Sequence, residues 1–508
     1  MTALDGLAEI AVGDGLRLTG RVREPMWRME LPVTRLVADG LEITDRGRNL
    51  PPPVVMGSGG RLIPTPNIDD DGLTLFEPDH DAIDFFESIE GMRVRVNDAV
   101  VAGPTSKYGE IVVLGDKGAD SRPRSSRGGV VIGGENNHPE RIMIDDRLVA
   151  HPPAVAVGDR LSGEIDGVLH YSYGSFKLLN TEPLSIEPRA TVEPASTSLS
   201  ADGNHITVAT FNVENLFAGS GDDRFTALAE IIVHRLGAPT VLALQEIQDD
   251  TGPEDDGTVS AETTLGRLSD AVVAAGGPRY DWRQIDPVDK ADGGQPGSNI
   301  RVALLFDPTR ARVEDRVANN ATATVVAGPR LHPNPALVSP ADPAFARSRK
   351  LLAVELVVDG ESFFFIICHL RSKGGDDSLF GRRQPPVRWS EDQRKPQATL
   401  VRTFVDDVLA VDPEARVIVL GDLNDFEFRE PVALLASEPM VNLMKHLSES
   451  ERSTYVYQGN SQTLDHIIVS SALVDGAQVQ VIHINADFPA SQRASDHDPV
   501  VARIKLGK

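Results

Sequence analysis

The segment RVIVLGDLND (416–425) is the stretch from which the fold can best be inferred. It begins as an apolar run and ends in Gly, Asp and Asn. A short apolar run of this kind predicts a buried β-strand. Asp422 and Asn424 are two residues apart, so the alternation of a strand would place both on one face. Alone, GDLN is more typical of a turn, because Gly, Asp and Asn favour turns.

Five further segments combine an apolar strand with polar groups in the same way. They are ITVATFNVENLF (206–217), TVLALQEIQ (240–248), FFFIICHLRSKGG (363–375), QTLDHIIVS (462–470) and RASDHDPVVARI (493–504). If these strand ends met at one edge of a sheet sandwich, carboxylates, amides and imidazoles would converge there. Such oxygen ligands suit Mg²⁺ or Mn²⁺.

These residue types are suited to phosphate chemistry. A divalent ion at Glu246 would neutralise a phosphoryl oxygen. Asp422 could orient or deprotonate an attacking water. His497, paired with Asp465, could stay protonated and donate a hydrogen bond to the phosphate. Each motif is weak alone, so the prediction depends on six segments in one order.

In that order, TFNVENL, LQEIQ, ICHLRSKGG, GDLND, LDHIIVS and SDHDPVV resemble the endonuclease/exonuclease/phosphatase superfamily, the deoxyribonuclease-I-like fold. The resemblance covers residues 206–504. It implies an α/β four-layer sandwich of two mixed β-sheets flanked by helices. It also implies a metal-dependent phosphoric ester hydrolase that uses Mg²⁺ or Mn²⁺, with Ca²⁺ as a further candidate.

The resemblance assigns the metal-site residues. Asn212 and Glu246 look like metal-site residues, and Asp496 looks like a ligand or a carboxylate beside one. Glu214 lies where related enzymes often have an acidic residue near the metal.

The resemblance also assigns the catalytic residues. Asp422 looks like the group that activates water, and Asn424 would orient the phosphate or that water. Asp465 and His497 look like the paired carboxylate and imidazole at the phosphate. His369 looks like the second phosphate-contacting histidine of the deoxyribonuclease-type branch.

The first half of the chain has a different pattern of short alternating runs. AVGD occurs at 11–14 and again at 156–159, and similar strand patterns follow both copies. Five short strands within about 95 residues predict a small closed OB-like barrel. We therefore expect a partial barrel at 1–50, truncated at its N-terminus, a barrel at 88–187, a linker at 188–205 and the catalytic domain at 206–505. The alternative is that the AVGD repeat is a chance match.

Two segments are similar to bacterial extracellular nucleases with OB-like N-terminal domains: residues 91–114 and 369–401. Those relatives begin with a signal peptide, but the first 20 residues here lack a basic start and an apolar core. The resemblance therefore favours an extracellular location, and the sequence as written favours the cytoplasm. No apolar run reaches ~18 residues, so no membrane span is expected. Cys368 is the only cysteine, which excludes an intramolecular disulfide.

The net charge of −25 excludes a nucleic-acid binder that works by bulk positive charge. A local basic stretch surrounds His369, comprising Arg371, Lys373, Arg382, Arg383, Arg388, Arg394 and Lys395. It would suit a polyanionic strand, or it would form surface ion pairs with neighbouring acids. Arg301 could likewise face the phosphate or pair with a buried carboxylate. Arg122, Arg124 and Arg127 form a second cluster, either a nucleic-acid contact or a solvated loop.

Aromatic residues on the barrel hairpins are Tyr108, Tyr171, Tyr173 and Phe176. They would stack bases of a single strand or fill the core. The leading hypothesis is a nuclease that hydrolyses DNA, with RNA as a second substrate and no protein partner. The alternatives are an enzyme acting on lipid or sugar phosphates and a non-catalytic nucleic-acid-binding protein.

Overall fold

The computed structural model describes residues 10–26, 29–65, 67–134, 136–188, 194–316 and 323–507. Within these residues the fold is mixed α/β, with several sheets and few helices. None of the described helices is long and apolar enough to cross a membrane.

The first part of the chain is mainly β-structure. Its elements are β1 (Gly15–Arg23), β2 (Arg35–Asp45), β3 (Val54–Val55), α1 (Ala82–Glu87), β4 (Arg93–Val96), β5 (Val100–Gly103), β6 (Ile111–Leu114), β7 (Val130–Val131), β8 (Ile142–Asp145), β9 (Ile165–Ser172) and β10 (Ser175–Asn180).

One sheet has the strand order β3-β4-β9-β10-β8-β6-β5. Strands β4 and β5 are consecutive in the chain and are separated by three residues. Asp98 between them has a φ of 47°, a left-handed conformation that interrupts the strand. No strand pair joins β4 to β5 in the described residues, and no closed barrel is found there.

The two AVGD copies form the same turn. The Ala11 N–H donates to Asp14 Oδ2 at 3.0 Å, and the Ala156 N–H donates to Asp159 Oδ2 at 2.6 Å. The first copy leads into the β1–β2 hairpin, whose residues are mostly exposed. The second leads towards the β9–β10 hairpin, in which alternate residues of β9 and all residues of β10 are buried. The repeat therefore extends to turn geometry, whereas the burial of the two hairpins differs.

The second part contains the remaining elements. They are β11 (His205–Leu216), α2 (Asp222–Glu230), β12 (Val241–Ile247), α3 (Glu262–Ala274), β13 (Asp281–Arg283), β14 (Arg301–Phe306), β15 (Ala311–Val313), β16 (Val325–Val326), β17 (Leu331–His332), β18 (Ala336–Val338), β19 (Leu351–Val358), β20 (Glu361–His369), α4 (Glu391–Val411), β21 (Arg416–Asp422), α5 (Glu430–Leu435), β22 (Met440–Asn442), β23 (Tyr455–Tyr457), β24 (Asn460–Gln462), β25 (Asp465–Ser470), β26 (Gln478–Val481) and β27 (Val500–Lys505).

Two mixed sheets face each other in this part, with orders β13-β14-β12-β11-β27-β26 and β15-β19-β20-β21-β25-β22. Strand β20 shows why they stack. Phe363, Phe365 and Ile367 belong to the core between the sheets. Phe364 and Cys368 belong to the cluster that includes residues of α4 and α5. A strand that is apolar on both faces is buried on both faces. The thiol of Cys368 is buried.

The first part of the chain packs directly on the second. Strand β7 pairs in parallel with β24, with Val130 opposite Asn460 and Val131 opposite Ser461. The Tyr171 hydroxyl donates to the carbonyl oxygen of Phe380 at 2.8 Å. Within the expected linker, the Thr197 N–H donates to the carbonyl oxygen of Arg235 at 2.8 Å. These contacts hold residues from both parts near one edge of the sheet sandwich.

Candidate active site

Strand ends from both facing sheets meet at one cavity of about 490 Å³. Strand β12 contributes Glu246, whereas β20 and β21 end at His369 and Asp422. The candidate residues that line the cavity are Glu246, His369, Asp422, Asn424, Asp496 and His497. Six of the eleven candidates therefore share one cavity.

A carboxylate and an imidazole form the most closely joined pair. His497 Nδ1 lies 2.8 Å from Asp465 Oδ2, and both side chains are buried. Burial alone would lower the pKa of His497, but the carboxylates of Asp465 and Asp422 raise it well above its ordinary value. The imidazole is therefore held in its protonated form. Its Nε2 atom lies 3.9 Å from Asp422 Oδ2.

Asp422 is surrounded by amide donors. Its Oδ1 accepts from the Asn424 N–H at 2.9 Å, and its Oδ2 accepts from Asn424 Nδ2 at 3.1 Å. Asn212 Nδ2 donates to the same Oδ2 at 3.2 Å. Burial raises the pKa of Asp422 to about 7, although the His497 charge acts in the opposite direction. Asn424 has a φ of 52°, so a left-handed residue after the strand end places its amide beside Asp422.

A second group of carboxylates lies around Glu246. Its Oε1 accepts from Asn212 Nδ2 at 3.2 Å, and its Oε2 accepts from the Asn215 N–H at 3.0 Å. Burial raises the pKa of Glu246, and the charge of Asp496 raises it further. The same two causes raise the pKa of Glu214. Mutually repelling, half-buried carboxylates are a donor set that fits a hard divalent cation.

Asn212 and Glu214 differ in detail from the sequence expectation. Asn212 is fully buried and joins Glu246 to Asp422 through its amide, and it does not line the cavity. Glu214 and Asn215 have φ values of 49° and 54°, so a bulge breaks the strand alternation that would have placed Asn212 and Glu214 on one face.

His369 differs electrostatically from His497. Its Nε2 lies 3.5 Å from Asp422 Oδ2 and 4.0 Å from Glu246 Oε1. Burial and the nearby Arg349 guanidinium lower the pKa of His369 well below its ordinary value. The two imidazoles of the cavity therefore have pKa values shifted in opposite directions, which suits them to different proton-transfer roles.

Two arginines of the expected site lie outside this cavity. Arg301 is buried and donates to Asp286 Oδ1 at 2.8 Å and to the carbonyl oxygen of Asn299 at 2.9 Å. The sequence left open a pairing with a buried carboxylate, whereas the Asp286 side chain is 46% exposed. Arg371 is half-buried, and its N–H donates to Gln397 Oε1 at 2.9 Å. Neither arginine lines the cavity.

Most of the basic stretch forms ion pairs rather than a rim. Arg394 is fully buried, with its Nε 3.0 Å from Asp425 Oδ2. Arg383 pairs with Asp377 at 3.1 Å, and Lys395 pairs with Glu430 at 2.6 Å. Lys373 and Arg388 do line the cavity, although Lys373 Nζ also lies 2.8 Å from Asp425 Oδ1.

The first part of the chain forms one wall of the cavity, through Ile132, Asn137 and Arg141. The Arg141 side chain is fixed by the carbonyl oxygens of His138 and Asn137, at 2.9 and 3.1 Å. Burial lowers its pKa to about 10. Sequence reasoning did not identify Arg141, because its only signal was a basic residue at the start of a strand.

None of the aromatic residues expected on the hairpins of a barrel lines the cavity. Tyr171 and Phe176 are buried in the core of the first part, so they cannot stack a base. Tyr108 and Tyr173 are exposed but do not line the cavity. The aromatic side chains that do line it are Phe426, Tyr455 and Tyr457.

Two arginines of the second basic cluster, Arg124 and Arg127, form hydrogen bonds within the protein. Arg124 donates to the carbonyl oxygens of Lys117 and Gly118, at 3.0 and 3.2 Å. Arg127 donates to the carbonyl oxygen of His483 at 2.9 Å. Both guanidinium groups are therefore engaged within the protein.

Comparison with protein families gives two matches. Residues 330–492 match the Endonuclease/Exonuclease/phosphatase family. Residues 55–189 match a family described as a domain of unknown function (DUF8508). The first match supports a metal-dependent phosphoric ester hydrolase. No curated protein matches the chain.

Three solved structures each align with 59% of this chain. Truncated TDP2 from Caenorhabditis elegans is 16% identical, with 59% of this chain and 98% of that chain covered, at a TM-score of 0.39. The human Nocturnin catalytic domain with bound sulfate is 18% identical, covering 59% and 95%, at 0.38. An endonuclease/exonuclease/phosphatase family protein from Leptotrichia buccalis is 13% identical, covering 59% and 100%, at 0.39. At these scores the likenesses carry no argument about activity.

Proposed function

We propose that this protein is a divalent-metal-dependent nuclease that hydrolyses phosphodiester bonds of DNA. The observation that carries the proposal is the contact of Asp422 with two groups. Its Oδ2 lies 3.9 Å from the protonated His497 and 3.2 Å from Asn212, which also holds Glu246. Water activation, phosphate contact and cation binding would thus be adjacent.

Each group has a role that follows from its environment. A divalent ion held at Glu246 and Asp496 would stabilise the negative charge of a phosphoryl oxygen. Asp422, with a pKa near neutrality, would orient the attacking water and accept its proton. Asn424 would keep that carboxylate in position. His497, held cationic by Asp465, would donate to the phosphate.

A nucleic-acid substrate suits the cavity walls better than a small ester does. Lys373, Arg388 and Arg141 bring local positive charge to a chain with a net charge of −25. Tyr457 is 55% exposed at the cavity, so its ring is available to stack on a base. These positive groups would bind the phosphate backbone of the nucleic acid locally, without a large basic surface.

We also propose that residues 88–187 form an OB-like barrel, as in the bacterial extracellular nucleases that the sequence resembles. The support is the pairing pattern. Strands β8 and β10 are parallel, whereas the other neighbouring pairs from β4 to β5 are antiparallel. The end strands of this order, β4 and β5, are adjacent in the chain. A bend that let β4 pair with β5 would therefore close the barrel.

The test uses the purified full chain with plasmid DNA and Mg²⁺. We expect degradation that stops with chelator and that falls by orders of magnitude in Asp422→Asn. Asp392→Asn, an exposed acid on α4, is the matched control and should behave as wild type. Metal-dependent hydrolysis of sphingomyelin or p-nitrophenyl phosphate without cleavage of DNA would favour the lipid- or sugar-phosphate alternative. Absence of all hydrolysis would contradict the enzyme assignment.

A further inference from the structure

A second cluster of carboxylates lies far from the active-site strands in sequence, in the loop between β3 and α1. The loop contains NIDDDG (67–72), in which Asn67, Asp69 and Asp71 alternate before Gly72. This spacing matches the first half of a Ca²⁺-binding loop, in which alternate oxygen-bearing residues precede a glycine. The later part differs from an EF-hand, because the twelfth position is Pro78.

The structure brings a fourth residue to these three. One ligand oxygen each from Asp69, Asp71 and Asp81 lies within 4.8 Å of the others. Oxygens bound to a single ion at about 2.3–2.6 Å lie up to about 4.8 Å apart. The Asn67 amide contacts Asp81 Oδ1, which places Asn67 in the same cluster. The three carboxylates therefore have the spacing of ligands around one cation, and Asn67 lies beside them.

An unpartnered buried oxygen points to a ligand that completes this cluster. Asp81 is 1% exposed, and its Oδ2 has no hydrogen-bond partner among the residues that the structure describes. In the same part of the chain, no basic side chain forms an ion pair with Asp69, Asp71 or Asp81. A buried carboxylate oxygen that has neither a donor nor a counter-charge is costly. A bound cation would supply the counter-charge and contact that oxygen directly.

We propose that Asn67, Asp69, Asp71 and Asp81 bind a calcium ion that stabilises the first part of the chain. All four offer oxygen, and three offer a carboxylate in an irregular loop, a ligand set that suits Ca²⁺ better than the strict octahedron of Mg²⁺. Backbone donors already orient Asp69, whose Oδ1 accepts from the Gly72 N–H at 2.8 Å.

The position of the site explains its structural effect. Asp81 immediately precedes α1, whose Phe86 stacks on Phe176 with ring centroids 5.0 Å apart. Phe86 also packs edge-on against Phe380 of the second part, at 5.7 Å. An ion at Asp81 would therefore hold the loop against the core that joins the two parts.

The experiment is Ca²⁺ titration of the full chain by calorimetry, in a Glu246→Gln background that removes a ligand of the candidate catalytic metal site. We expect about one Ca²⁺ to bind per chain and to raise the Tm by several degrees. Added Asp81→Asn or Asp69→Asn should weaken binding at least about tenfold and remove the Tm rise. Asp79→Asn, an exposed acid in the same loop, is the matched control and should change neither.

Three results would overturn the proposal. The first is the absence of Ca²⁺ binding by the Glu246→Gln parent, which does not depend on the folding of any loop variant. The second is equal Ca²⁺ affinity in the Asp81→Asn and Asp79→Asn variants. The third is Mg²⁺ binding at this site as tightly as Ca²⁺. None of these depends on nuclease activity.

Discussion

His497 Nδ1 lies 2.8 Å from Asp465 Oδ2, in a pair buried at the end of the second sheet. The pair predicts that Asp465→Asn will lower kcat by about 10²–10⁴, because the amide cannot hold the imidazole in its charged form. KM should change little, since Asp465 does not line the cavity. Steady-state kinetics on an oligonucleotide with saturating Mg²⁺ measure both constants. A kcat within twofold of wild type would show that the pair has no catalytic role.

We expect substitution of Arg388 to affect substrate binding rather than the chemical step. Its side chain is exposed and lines the cavity, whereas Lys395 in the same basic segment is paired with Glu430 at 2.6 Å. We expect Arg388→Ala to raise KM for DNA several-fold and to reduce the slope of log KM against log salt by about 1, with kcat unchanged. Lys395→Ala is the control and should preserve the slope. Equal effects of the two substitutions would contradict a specific contact by Arg388.

The positions of the main site residues follow from local sequence, but several of their neighbours do not. The β20 run alternates between two apolar faces, so the strand and its end at His369 are predictable from period-two patterning. Arg141 reaches the cavity where the two parts of the chain meet. Its side chain donates to the carbonyl oxygen of Gln458, more than 300 residues further along the chain, and β7 pairs with β24 nearby. No local pattern encodes such a pairing. The bulge at Glu214 and the Arg301–Asp286 ion pair likewise depend on tertiary contacts.

A substitution at Gly103 tests whether the first part of the chain contributes to substrate binding at the cavity. A Cβ at Gly103 would lie 2.9 Å from backbone atoms of Gly459, so a side chain must push the two parts away from each other. We expect Gly103→Val to raise KM for DNA while leaving the rate on bis(p-nitrophenyl) phosphate, which needs only the catalytic groups, near wild type. Gly203→Val is the control, because a Cβ there meets nothing within 4 Å. Parallel loss of both activities would indicate general unfolding and contradict a local role.

The environment of His483 predicts how the free energy of unfolding depends on pH. Its Nδ1 lies 3.1 Å from Asp498 Oδ2, and its Nε2 lies 3.8 Å from Glu451 Oε2. Burial alone would lower the pKa of His483, but the hydrogen bond to Asp498 and the neighbouring Glu451 carboxylate raise it to about 10. Because the folded pKa is above the unfolded value of about 6.5, this stabilisation is complete below pH ~6.5 and is lost as the pH rises through about 10.

The corresponding measurement compares wild type with His483→Gln by urea unfolding at pH 6.5, 8 and 10. The difference in the free energy of unfolding should shrink by roughly 2–4 kcal/mol from the lowest to the highest pH. Other titrating groups are common to both proteins and largely cancel in the difference. His234→Gln is the control, because His234 is 55% exposed and lies 3.4 Å from Glu230, so its difference from wild type should stay small at every pH. A His483→Gln difference that is constant with pH would mean that the imidazole is neutral in the folded protein and that its carboxylate neighbours do not hold a proton on it.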